Sequence, residues 1–219
     1  MRRKTEDPQQ VALREGWSSA CQLYGYLHGG GDLVALPPGA VRLNPDEVAY
    51  GDAPLGYARF YGTTATYQQS STMLMGSATF VAAGLAANAI GNAAARNRAQ
   101  AHAAHQWRDH ATVRTILTSQ RLLCDYRNQW LSFWHSGVVE LQGDVAQWLF
   151  VLRYEVGDPV MLHGPAAPWF AVSAARLVYG PGGLQLPALA PLARAYIEAT
   201  TRDQRMLGGP PGPQALPPA

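Results

Sequence analysis

Between Ala111 and Leu162 the side chains alternate with a period of two, and short groups of turn-forming residues interrupt the alternation. This period is typical of β-strands, because successive side chains of a strand point to opposite faces of the sheet. The interruptions fall at Ser119-Gln120, Arg127-Asn128, Gly143-Asp144 and Gly157-Asp158. Short breaks of this kind join antiparallel neighbours. This half of the chain is therefore predicted to fold as an antiparallel meander.

Two shorter strands are predicted upstream, at residues 48–50 and 55–61, after a turn at residues 44–47. Three helices are predicted around the strands. The first runs to about Tyr26 and begins at Asp7-Pro8, where aspartate suits the N-cap and proline the first helical position. The others are predicted at residues 166–179 and 190–206. We expect an N-terminal helix and linker (1–40), a sheet domain (41–180), and a C-terminal helix with a disordered Pro/Gly tail (181–219).

Residues 72–110 interrupt the strand pattern. They are rich in alanine and contain no proline, which predicts a helical insertion. A stretch of 23 uncharged residues begins at Met73 and ends at Ala95, which is long enough to span a bilayer at about 1.5 Å per residue. A single crossing would, however, place the strands before and after it on opposite sides of the membrane. One sheet cannot be assembled in that way.

Small residues recur every four positions within the insertion, at Ala83, Ala87, Gly91 and Ala95. Such a stripe lets two helix backbones approach closely, in a membrane or in an oligomer. Three alternatives stay open for the insertion. It packs against the chain's own sheet or a second subunit, it enters the membrane as a hairpin or interfacial helix, or it spans the membrane.

The composition excludes several classes of protein. With 47% hydrophobic and 15% charged residues, the chain is too apolar for a disordered protein and carries too little charge for a coiled coil. A net charge of +2 argues against a nucleic-acid partner. The two cysteines lie far apart, and no apolar run directly follows the charged N-terminus. We therefore expect a reducing, cytoplasmic location, with association at the inner membrane face as an alternative.

The segment Leu117-Thr118-Ser119-Gln120-Arg121-Leu122 resembles the "LT-x-x-RL" hairpin of bacterial pleckstrin-homology-like and GRAM-type domains. Upstream, Leu43-Asn44-Pro45-Asp46-Glu47 is similar to the "L-x-x-x-E" opening of such domains. The resemblance covers residues 41–180 apart from the insertion, and it extends to actinobacterial proteins of this architecture. It implies a small, bent antiparallel β-barrel capped by a C-terminal helix. It also implies a role in binding or docking, although fold does not fix function.

Few residues suggest catalysis or metal binding. His102, His105 and Asp109 are spaced for one face of the predicted helix, where they could bind zinc or iron, but a solvated face is the favoured interpretation. Cys124 alternates with core residues, so it is predicted to be buried and not nucleophilic. A turn after Pro45 is the favoured explanation of the neighbouring Asp46 and Glu47. We therefore predict no catalytic residue, no metal site and no cofactor.

Four arginines on or beside the predicted strands are candidates for phosphate or lipid-headgroup contacts: Arg114, Arg121, Arg127 and Arg153. An ordinary charged outer face is the alternative, and Arg121 could instead bond carbonyls at its hairpin. Trp130, Trp134 and Trp148 are predicted to build the core. The alternative is that Phe133 points inward, in which case Trp130 and Trp134 form an exposed aromatic patch for a partner.

The sequence thus predicts an α+β fold, with a pleckstrin-homology-like barrel interrupted by an alanine-rich helical insertion. We expect a non-catalytic binding or scaffolding protein that uses residues 72–110 for self-association or membrane contact, with a protein partner as a further option. The alternatives are an integral membrane protein anchored by residues 73–95 and an enzyme whose site the sequence does not reveal.

Overall fold

The computed structural model describes residues 6–62 and 104–207, with only the backbone of residues 203–207. The chain divides into two compact units. One combines Met1–Ala58 with His110–Ala219, and the other is Arg59–Asp109. The expected small-residue stripe at Ala83, Ala87, Gly91 and Ala95 lies outside the described residues, as does the tail from residue 208 onward.

Seven strands form one curled antiparallel sheet, a half-barrel in the order β4-β3-β2-β1-β7-β6-β5. The β3–β4 and β6–β7 pairs are continuous along their length, and a bulge at Val138/Glu140 interrupts the β5–β6 pair. The strands are β1 (Ala49–Tyr61), β2 (Gln106–Thr118), β3 (Arg121–Tyr126), β4 (Gln129–Trp134), β5 (Val138–Gln142), β6 (Leu149–Tyr154) and β7 (Val160–His163).

The strands of the predicted meander all form, and turns or short connections occupy the four predicted breaks. Two details differ from expectation. The segments 48–50 and 55–61 are parts of one strand, β1. The helix predicted to continue to His110 is wrong at its end, because β2 already begins at Gln106. Helix propensity is a weak preference, and strand pairing with β1 overrides it here.

Three helices flank the sheet: α1 (Pro8–His28), α2 (Ala167–Tyr179) and α3 (Ala190–Leu207). The predicted start of α1 is confirmed, because the side chain of Asp7 accepts a hydrogen bond from the backbone N–H of Gln9 at 3.1 Å. Helix α2 is buried along most of its first three turns. Short 3₁₀ turns connect β4 to β5, β5 to β6, and α2 to α3.

Helix α1 belongs to the same hydrophobic core as the sheet. Ala20, Tyr24 and Leu27 are buried with the inward residues of the strands and of α2. The hydroxyl of Tyr24 donates a hydrogen bond to the carbonyl of Leu184 at 3.1 Å. A side chain at Gly16 would overlap the carbonyl oxygen of Pro165. Glycine therefore lets α1 lie directly against the segment that leads into α2.

The described part of the Arg59–Asp109 unit consists of the ends of β1 and β2. The Tyr61 hydroxyl donates to the Asp109 carboxylate, and Arg108 Nε donates to the Tyr61 carbonyl, each at 3.1 Å. The rings of Phe60 and Trp107 have centroids 5.3 Å apart. Polar and aromatic contacts thus join the two strand ends. Across residues 6–62 and 104–207, no helix has the length and apolarity that a bilayer crossing requires.

Candidate functional site

The two segments that resemble the pleckstrin-homology-like motifs meet at a buried ion pair. Glu47 lies just before β1, and Arg121 is the first residue of β3. Arg121 donates from Nε to Oε1 and from Nη2 to Oε2 of Glu47, each at 2.9 Å. The Glu47 side chain is fully buried, and that of Arg121 is 13% exposed. This two-pronged geometry matches the planar guanidinium fork to the carboxylate.

Further hydrogen bonds complete this pair. The Thr118 hydroxyl donates to Glu47 Oε1 at 2.7 Å, and the Asn44 backbone N–H donates to Oε2 at 2.8 Å. The backbone N–H of Arg121 donates to the Thr118 hydroxyl at 3.0 Å. On the other side, Arg121 Nη1 donates to the Ser132 hydroxyl oxygen at 2.9 Å. The network ties the chain before β1 to the β2–β3 hairpin and to β4.

The pKa values of two buried groups at this network, Glu47 and His135, are shifted from their ordinary values. Burial raises the pKa of Glu47, but the hydrogen bonds from Arg121, Asn44 and Thr118 outweigh it, so the pKa lies below its ordinary value. Burial lowers the pKa of His135, which follows β4, more than its contact with the Thr118 carbonyl at 2.9 Å raises it. Its Nδ1 atom has no hydrogen-bond partner among the described residues.

Beside this network, strand β4 presents an outward aromatic surface. The prediction that Trp130 and Trp134 build the core is wrong, because they are 40% and 43% exposed, whereas Phe133 is buried against Tyr57. Ser132 lies between the tryptophans on the same outward face, because alternate residues of a strand share a face. The guanidinium of Arg121 lies over the Trp134 ring, 4.7 Å from its centroid. We call Trp130, Ser132 and Trp134 the β4 patch.

The backbone of the β4 patch also lies on an edge of the sheet. Strand β4 ends the strand order, and β3 is the strand paired with it in the described part of the chain. The β3–β4 turn has Arg127 and Asn128 at φ of 54° and 60°, as in a type I′ turn. In such a hairpin Gln129, Leu131 and Phe133 exchange hydrogen bonds with β3. The N–H and C=O groups of the β4 patch therefore point away from the sheet.

The four candidate arginines have different partners. Arg114 forms an ion pair with Asp52, with Nε to Oδ1 at 3.0 Å. Arg121 binds Glu47, and Arg153 lies 3.9 Å from Glu140. Arg127 lies over the ring of its neighbour Tyr126, 5.0 Å from the centroid. The expected carbonyl contacts of Arg121 are replaced by a carboxylate, so Glu47 is more than a turn residue. The sequence alone did not predict this pairing, although both residues lie in the two segments that carry the resemblance.

The other candidates for chemistry have structural surroundings. The carboxylate of Asp109 accepts from Tyr61, and the His105 ring lies 6.0 Å from that of Phe60, while His102 lies outside the described residues. No group of three potential metal ligands occurs within residues 6–62 and 104–207. Cys124 is buried, and burial raises the pKa of its thiol to about 12. Such a thiol is protonated near neutral pH and is a poor nucleophile.

An open cleft of about 450 Å³ lies between α1, the start of β1 and α2. Ala12, Ala53 and Trp169 contribute to its largely apolar wall, and Glu15 and Asp52 are its acidic residues. Asp52 is already paired with Arg114. The lining of the cleft includes no residue of β4.

Fold and site together define an α+β protein with a curled antiparallel sheet and one aromatic edge strand. Compared with known proteins, the chain matches no family model and has no significant match among curated proteins.

Proposed function

We propose that this chain is a non-catalytic binding or scaffolding protein that docks an extended protein segment along β4. The observation that carries the proposal is the pair Trp130 and Trp134, which point outward on a strand whose outer backbone donors and acceptors pair with no other strand of residues 6–62 and 104–207. Strand addition uses such backbone groups for affinity, and the alternate side chains give specificity. Tryptophan is also enriched among the residues that dominate binding energy in protein interfaces.

The composition of β4 supports strand addition. Its sequence, Gln129-Trp130-Leu131-Ser132-Phe133-Trp134, contains no charge, no proline and no glycine. Native proteins usually protect an edge strand with charges, proline or bulges, because an unprotected edge pairs with other chains. An unprotected edge with two exposed tryptophans is therefore suited to recruit a partner strand.

The polar network supports a binding role for the fold. Glu47, Arg121 and Thr118 bond one another and position the β2–β3 hairpin and β4. These contacts involve both motifs of the pleckstrin-homology-like resemblance, which supports a docking module of that type. The role predicted for residues 72–110 in self-association or membrane contact stays a prediction, as does the cytoplasmic location.

A peptide probe tests strand addition. The probe carries the sequence of residues 129–134, solubilising lysines and a fluorophore, and fluorescence anisotropy measures its binding to the full chain. Two versions of the peptide with methylated backbone nitrogens are compared. In the first version the methyl groups are at the positions of residues 130, 132 and 134, and in the second they are at the positions of residues 131 and 133. The first removes the donors that would face β4, and the second removes donors on the far edge.

We expect the first version to bind at least about tenfold more weakly than the second, since several backbone hydrogen bonds are lost. The variant Trp130→Ala should weaken binding of the unmodified probe, whereas Val139→Ala, an exposed residue of the opposite edge strand β5, should not. Equal binding of the two methylated peptides, or no binding by any peptide, would overturn the proposed function.

A further inference from the structure

We infer that the partner strand of β4 is β4 of a second copy of this chain, related by a two-fold axis that passes beside Ser132. This inference rests on the proposed function and specifies which segment pairs with β4. It follows from the symmetry of the β4 patch, in which Trp130 and Trp134 lie at equal distances along the strand from Ser132. A two-fold interface requires such a self-complementary surface.

The register of this pairing follows from the backbone. The outward groups of β4 belong to Trp130, Ser132 and Trp134, so an antiparallel copy that uses all of them has one alignment. Ser132 lies opposite Ser132 of the partner subunit, and Trp130 lies opposite Trp134 of the partner subunit. Each pair is of the hydrogen-bonded kind and exchanges two bonds, so the interface gains about six backbone hydrogen bonds.

The side chains agree with the same alignment. Residues directly opposite in an antiparallel pair share a face, so each Trp130 packs against a Trp134 on the outer surface, where aromatic cross-strand pairs are favourable. No charged residue of β4 meets its own copy. The nearest cation, Arg121, is already neutralised by Glu47. Two copies can therefore approach without like-charge repulsion inside the interface.

Strand β5, at the opposite edge of the sheet, differs from β4 in its charge and its regularity. Strand β5 carries Glu140 and has a bulge between Val138 and Glu140, and Glu140 lies 3.9 Å from Arg153. Inward or edge charges and bulges are the devices that keep edges from pairing. Because β5 has both devices and β4 has neither, β4 is the edge at which a second copy pairs.

A charge-complementation experiment tests the register in the full chain. Ser132→Lys and Ser132→Glu are made separately, and sedimentation velocity gives the mass of the wild type, of each variant and of their equal mixture. In the proposed register, residue 132 faces its own copy, so each variant places two like charges directly opposite one another. The mixture places lysine opposite glutamate.

We expect a dimer for the wild type, at least tenfold weaker self-association for each variant, and recovery of a heterodimer in the mixture. Ser132 accepts a hydrogen bond from Arg121, so the thermal unfolding of each variant is also measured. Recovery in the mixture separates a pairing effect from simple destabilisation. The matched controls are Val139→Lys and Val139→Glu on β5, which should leave the dimer unchanged.

A wild type that stays monomeric at millimolar concentration would overturn the inference. So would variants that dimerise as well as the wild type, or folded variants that do not recover in the mixture. If the wild type is monomeric while the β4 peptide binds with the expected N-methyl pattern, the self-association is wrong and the proposed function stands. If neither the copy nor the peptide binds, both are wrong.

Discussion

The carboxylate of Glu47 and the guanidinium of Arg121 share two hydrogen bonds of 2.9 Å across 74 positions of sequence. The pair couples the chain before β1 to the hairpin that precedes β4. Because Arg121 also bonds Ser132 and lies over Trp134, it supports both outward residues at the end of the β4 patch. The buried ion pair therefore positions two residues of the exposed β4 patch.

Replacing Arg121 by alanine should destabilise the fold strongly. The change leaves the Glu47 carboxylate buried without its cation, and orphaned buried charges cost about 3–5 kcal/mol. Urea unfolding measures the free energy of unfolding. The matched control is Arg114→Ala, which breaks an ion pair whose arginine is half-exposed and should cost about 0–1 kcal/mol. Similar losses for both variants would contradict a special role for the buried pair.

The stability of the fold should fall as the pH is lowered from 7. Burial lowers the pKa of His135 in the folded state. The unfolded chain therefore takes up the proton first, and the contribution of the neutral histidine is lost as the pH falls below about 6.5. Glu47 acts in the same direction at lower pH, because its pKa is also below the ordinary value in the folded state.

The variant His135→Gln isolates the histidine part of this effect. Glutamine retains a donor for the Thr118 carbonyl but does not titrate. Urea unfolding across pH 5 to 7 should show a slope of up to about 1.4 kcal/mol per pH unit for the wild type and a smaller slope for the variant. Identical slopes would assign the pH dependence to other groups.

Cys124 should resist alkylation until the protein unfolds. Its thiol is fully buried, and burial raises its pKa to about 12. Burial also raises the pKa of Cys21, but this residue is only partly buried. Iodoacetamide treatment at pH 8 followed by peptide mass spectrometry should modify Cys21 first. Alkylation of Cys124 in the native protein at the rate of Cys21 would disprove its assignment to the core.

A methyl group at Gly16 should loosen the docking of α1. Alanine favours a helix by about 1 kcal/mol over glycine, but the new Cβ would overlap the Pro165 carbonyl. We expect Gly16→Ala to lower the free energy of unfolding by about 1–3 kcal/mol. The control Gly182→Ala meets no atom within 4 Å and should change it by less than about 0.5 kcal/mol. Stabilisation by Gly16→Ala would show that α1 does not pack as described.

The sequence pattern predicted most strands and helices, because hydrophobic periodicity and helix capping depend on residues that are close together in the chain. The Asp7-Pro8 start of α1 and the turn at Arg127-Asn128 are examples. The end of the insertion was missed, because pairing between β1 and β2 acts over a long distance in sequence and outweighs the propensity of residues 106–110.

The candidate site was only partly predictable. The core position predicted for Trp130 and Trp134 is wrong, because both faces of the segment are apolar and alternation alone does not show which face is buried. Packing against Tyr57 shows that Phe133 is inward. The pairing of Glu47 with Arg121 depends on the closure of the sheet. In the sequence alone, a turn is enough to explain Glu47, and contacts within its hairpin are enough to explain Arg121.

The neighbouring positions of β1 and β2 have a consequence for the length of the chain that joins them. Strand β1 ends at Tyr61 and strand β2 begins at Gln106, and a hydrogen bond joins Tyr61 to Asp109. The entropy lost by closing a loop grows only with the logarithm of its length. Because contacts between Tyr61 and Asp109 already hold the two strand ends together, a change in the number of residues between them adds little to this entropic cost.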